Sequence, residues 1–175
     1  MHPSESIPAE RLEAAARVFV LIASDSAAEG DDFIRKARRM RDALAELYAA
    51  AAACAHLGDE QGPMLLTGDD LPVPHGAQPS SGWSPAPLPD DYRITRFPIG
   101  DTSHPSERRE VVDGSVRAGV AEIASTVGAC LRALDAGSVD RATALRSMAF
   151  QLEADACWGR TAAELIFVLH QLANW

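Results

Sequence analysis

Phe33, Ala37, Met40, Leu44, Leu47, Ala51 and Cys54 follow one another at alternating steps of four and three. On a helix of about 3.6 residues per turn that spacing lays them along one stripe, and a chain with such a seam must find a partner surface for it. Three other stretches repeat the habit. Leu12, Ala16, Phe19 and Ala23 share one face of a helix expected over 6–24, opening at Ser6 with Pro8 tolerated in the first turn. The seam helix is expected over 31–57, with Asp31 or Asp32 as N-cap and its end before Gly58. Val116, Val120, Ile123, Val127, Cys130 and Leu134 predict a third helix within 107–136, starting between Ser106 and Ser115 and closing at Gly137. Ser138 then caps a fourth over 138–173, which carries Leu145, Met148, Leu152, Gly159, Ala163 and Ile166 inward.

The stretch 58–106 is of another kind. It holds nine of the eleven prolines and six of the twelve glycines, and between Pro72 and Pro89 the prolines are too dense for regular structure. Tyr92, Ile94, Phe97 and Ile99 are the expected anchors of this strap, with Trp83 a weaker one. The fold class expected is therefore all-α, one domain over 1–175. Two helical hairpins joined by a long Pro/Gly-rich irregular crossover make a four-helix-bundle-like arrangement. No hairpin or βαβ signal is visible in the sequence.

Composition agrees. Hydrophobic residues are 47% and aromatics 6%, so the core must be built from Ala, Leu, Val and Ile on helices, and aromatic-rich sandwiches are disfavoured. A formal charge of −9 repels phosphates and disfavours nucleic acid or an anionic membrane as partner. Arg35, Lys36, Arg38, Arg39 and Arg41 are the one basic cluster. They flank the seam on both sides, which fits a solvated helix surface better than an anion-binding face. Cys54, Cys130 and Cys157 are odd in number and lie on expected helices, so no disulfide framework is implied and a reducing cytoplasm fits. No signal peptide or spanning stretch is legible, and no membrane role is expected.

Near the end, Phe150 is followed by Cys157, Trp158, Gly159, Arg160, Thr161 and Ala162, and then by Leu169 and His170. This segment resembles a bacterial domain-of-unknown-function family, number 5063. Its last helix carries an aromatic, then His-Trp-Gly-Arg-His-Ala, then Leu-His. Trp158, Gly159, Arg160, Ala162, Leu169 and His170 match, while Cys157 and Thr161 stand where the family has histidines. The likeness covers about the last sixty residues, and more loosely 33–48. It implies a helical fold in a bacterial protein and supplies no mechanism.

The candidate binding residues are Trp158, Arg160, Asp155 and His170. Glycine within a helix costs ~1 kcal/mol against alanine, so Gly159 is expected at a close helix crossing, with Trp158 covering it and Arg160 paired to an acidic residue of a neighbouring helix, Glu153, Asp155 and Glu164 being the alternatives within its own helix. Cys157, His170 and Asp155 do not make a catalytic set, because thirteen residues of one helix put Cys157 and His170 ~20 Å apart. Cys54 and His56 lie two positions apart and face different sides of a helix, and His2, His75 and His104 are isolated, so neither metal nor cofactor is expected. No phosphate loop, serine elbow or nucleotide fingerprint occurs. The expected function is a non-catalytic protein–protein interaction module: an adaptor, regulator or immunity-type partner, with a homo-oligomer compatible. The alternatives are a small-molecule-binding bundle or enzyme with a pocket near Trp158 and Arg160, and, last, nucleic-acid contact through Arg35 to Arg41.

Overall fold

A computed structural model of the chain describes residues 3–24, 33–55, 83, 90–96, 110–153 and 158–174. Five helices and one two-stranded sheet follow in the order α1 (Pro3–Ser24), α2 (Phe33–Ala55), β1 (Asp91–Arg96), β2 (Glu110–Ser115), α3 (Val116–Asp135), α4 (Arg141–Glu153) and α5 (Trp158–Leu172). The described residues are mostly helical.

Most seam residues are buried, and Phe33 and Leu134, at the ends of their seams, are half-buried. Leu12, Ala16, Phe19 and Ala23 of α1 are buried, as are Ala37, Met40, Leu44, Leu47, Ala51 and Cys54 of α2. They join one core with Val116, Val120, Ile123, Val127 and Cys130 of α3. Helix α1 packs on α2 and α3, while α2 and α3 each pack against both α4 and α5.

Several local expectations need correction. Helix α1 opens at Pro3 and not Ser6, so that Pro8 lies inside the helix and not in its first turn. Four others concern later parts of the chain. First, a small sheet lies where helix or irregular chain was expected: β1 falls inside 58–106, and β2 occupies what should have been the first turns of the third helix. The strands pair antiparallel, Tyr92 opposite Gly114 and Ile94 opposite Val112. Their alternation is clear once paired, since Tyr92 and Ile94 pack on the core while Asp91, Arg93 and Thr95 are exposed. Six residues is too short a run to read alone, and the thirteen residues of sequence between the strands exceed the two to five that signal a hairpin.

Second, α3 begins at Val116. Ser115 is its N-cap, with the side-chain oxygen accepting from Ala118 N. Asp90 completes the cap from twenty-five residues upstream: its backbone carbonyl accepts from Val116 N at 2.9 Å, and its carboxylate accepts from Arg117 N at 2.7 Å and Ser115 Oγ at 2.8 Å. The other end of α3 closes at Gly137, whose φ of 63° suits glycine, with Gly137 N donating to Leu134 O and Ser138 N to Ala133 O.

Third, α4 and α5 are separate helices where one was expected over 138–173. Met148 and Ala162, both buried, are two heptads apart, so the apolar spacing keeps its phase across the junction and gives no sign of the division. Residues 154–157 lie outside the described structure. Asp140, not Ser138, caps α4, its carboxylate accepting from both Thr143 N and Thr143 Oγ1; Ser138 Oγ instead donates to Ala133 O.

Fourth, the inward face of α5 is made by Trp158, Gly159, Ala162, Leu165, Val168 and Leu169. Ala163 is exposed and Ile166 half-buried, because the large side chains of Trp158, Leu165 and Leu169 set the register. In the strap, Trp83 is buried and its backbone N–H donates to Ala23 O, so it is a firmer anchor than the half-buried Tyr92 and Ile94. Phe97, Ile99, Asp31 and Asp32 lie outside the described residues.

Candidate functional site

Helix α5 carries three of the four residues singled out by sequence, and it spreads them apart. Trp158 opens the helix facing the core and is 1% exposed. Arg160, two positions on, faces outward, its Nε 3.5 Å from Glu164 Oε1. His170 lies twelve residues beyond Trp158, ~18 Å along the axis, with its Nδ1 3.5 Å from Arg41 Nη1 and its backbone carbonyl accepting from Asn174 Nδ2. Asp155 lies outside the described residues, as does Cys157. No common site gathers Trp158, Arg160 and His170. Gly159 is buried as expected of a packing residue. The close helix approach that is visible lies at Gly119 of α3, where a Cβ would come within 2.9 Å of Leu165 Cδ1 and 3.1 Å of Thr161 Cγ2.

One feature of Trp158 has no partner among the described residues. Its indole Nε1 is buried without a hydrogen-bond acceptor, an arrangement that costs ~1–3 kcal/mol.

The basic cluster on α2 is partly committed to structure. Arg38 Nη2 donates to Ala173 O at 3.1 Å, serving one of the carbonyls that the end of α5 leaves unpaired. Arg41 is bonded to Asp42 and stands beside His170. Arg35, Lys36 and Arg39 make no ion pair with another described residue. The cluster therefore divides between binding α5 and facing solvent, and does not form one anion-binding surface.

Where the sheet meets the helices there is a second polar grouping that the sequence did not reveal. Tyr92 lies over Gly114, so close that a Cβ there would overlap the phenol ring. Burial pushes the Tyr92 hydroxyl above its ordinary range, and the negative charges of Glu164 and Glu122 with a hydrogen bond to Glu164 push it further. This phenol is therefore a donor held neutral, joining β1 to α5. Helix α4 adds a buried polar line of Thr143, Ser147 and Gln151, spaced four apart, with Gln151 Nε2 3.4 Å from Ser147 Oγ. The Tyr92 grouping depends on which elements face each other, and the α4 line, though spaced within one segment, is buried because α2 and α3 pack on that helix.

The two described thiols, Cys54 and Cys130, are both buried. Burial raises Cys54, and raises Cys130 to about 11, which keeps both protonated near neutral pH. Among the described residues no group of three or more His, Cys, Asp or Glu side chains is placed to hold a metal ion. No helix among them is long and apolar enough to cross a membrane.

The outer face of α1 is different. Ala14, Val18 and Leu21, at steps of four and three, point away from the core and form a second stripe opposite the first. Val18 is 51% and Leu21 72% exposed. Beside the stripe, Arg11 is bonded bidentately to Glu46 and Arg17 bridges Glu13 and Asp135, while Glu10 at the N-terminal end of the stripe is exposed. The sequence displayed this signal, because Val18 and Leu21 fall between the seam positions Ala16, Phe19 and Ala23. Inspection for catalytic residue types passes over it.

No family model, curated protein or solved structure matches this chain, so its function is read from its own residues.

Proposed function

We propose that the chain is a non-catalytic protein–protein interaction module of the bacterial cytoplasm, an adaptor, regulator or immunity-type partner that docks another protein on the outer face of α1. The observation that carries this is the exposed Ala14–Val18–Leu21 stripe. An apolar stripe on the outward side of a helix already seated by its inward side has no part in the core, and removing it from water favours association. The flanking Arg11, Glu13 and Arg17 are paired within the chain, which lowers the cost of docking over the stripe, and Glu10 at its N-terminal end stays at the polar rim.

Two finer structural readings accompany it. We infer that α4 and α5 together fill the fourth position of a four-helix bundle, since α2 and α3 each pack against both. The resemblance to family 5063 is proposed on the same six residues, Trp158, Gly159, Arg160, Ala162, Leu169 and His170; the burial of Trp158, Gly159, Ala162 and Leu169 supports a packing role for most of that motif.

The test is site-specific photo-crosslinking in the native host from position 21, with exposed Arg132 of α3 as control. A protein crosslinked at 21 and not at 132 is then purified and titrated against the wild-type chain and Val18→Asp/Leu21→Asp. The proposal expects at least a tenfold loss of affinity in the double variant with the helical circular-dichroism spectrum retained. Crosslinking equal at both positions, or affinity unchanged by the double variant, overturns it.

A further inference from the structure

We draw no further inference here: the strongest candidate, the buried indole N–H of Trp158 at the first residue of α5, carries nothing because the residues preceding it, 154–157, lie outside the described structure and nothing shows what would meet it.

Discussion

Gly119 and Gly128 stand on the same helix, both buried, yet a methyl group would meet different neighbours at each. At Gly119 it meets Leu165 and Thr161 of α5; Leu165 is fully buried and Thr161, β-branched, is stiff at χ1. At Gly128 the only near atom is Arg132 Nη1 at 3.2 Å, the far end of an exposed, flexible side chain. Overpacking costs ~1–3 kcal/mol and helix propensity returns ~1 kcal/mol. Gly119→Ala is therefore expected to lower stability by about 1 kcal/mol, and Gly128→Ala to raise it by about 0.5–1 kcal/mol. Urea denaturation of the two variants reads both signs, and a Gly119→Ala variant more stable than wild type would contradict the close α3–α5 approach. The cysteines give a second residue-scale expectation. With the Cys130 thiol pushed up to about 11 and fully buried, a Cys157→Ser variant at pH 8 should react with a thiol reagent at Cys130 only as fast as it opens. Rapid labelling in native buffer would disprove this.

At the scale of elements, Asp90 fastens the start of α3 to the start of β1. Asp90→Ala removes the acceptors of Arg117 N and Ser115 Oγ and should cost ~1–2 kcal/mol, as loss of an N-cap does. Asp90→Asn should cost less, since its amide oxygen still accepts. The amides of Val116, Arg117 and Ala118 should exchange with solvent faster in the alanine variant, and unchanged exchange would remove Asp90 from the cap. This clasp also shows what periodicity can and cannot supply. The seams of α1, α2 and α3 are properties of single segments and read directly from spacing. The Asp90 cap, the Tyr92–Glu164 contact and the pairing of β1 with β2 depend on partners fourteen or more residues away, which no local pattern names. The same holds for the division between α4 and α5, where spacing stays in phase. At the candidate site the side chains were legible but their company was not: Trp158 and Arg160 are neighbours in sequence and lie on opposite sides of α5.

Over the whole molecule, charge is organised around Glu13, which is bonded to Arg17 on its own helix and to Arg141 of α4, while Arg17 reaches Asp135 at the end of α3. Asp135 and Arg141 each sit at the helix end that disfavours their charge, so the network offsets two unfavourable placements while joining three helices. Burial pushes the Glu13 carboxyl up, but hydrogen bonds from Arg141 and Arg17 outweigh it and hold it below its ordinary value; the bond from Arg17 lowers Asp135. Because both folded-state values are depressed, the contribution is present above the unfolded values of 4.5 and 3.8 and lost as pH falls through the folded ones. Melting temperature should thus decline as pH drops below about 4.5, and less steeply in Glu13→Gln. Asp135 is exposed and Glu13 half-buried, so the dependence should weaken in high salt chiefly through the Arg17–Asp135 pair; equal acid sensitivity in Glu13→Gln and wild type would exclude the network as its source.

Trp83 and Trp158 are 3% and 1% exposed, and they sit in different parts of the molecule, one at the end of α1 and the other at the start of α5. Both indoles should emit at short wavelength while held in the core. Trp83 is buried and its backbone N–H is bonded to Ala23 O, whereas Trp158 belongs to a helix packed on α2, α3 and α4. In a Trp175→Phe background, Trp158→Phe leaves Trp83 to report the strap and Trp83→Phe leaves Trp158 to report the helices. A red shift of the first at lower denaturant than the second would show that the strap detaches while the helical core still stands, giving the chain an intrinsic optical record of two unfolding steps.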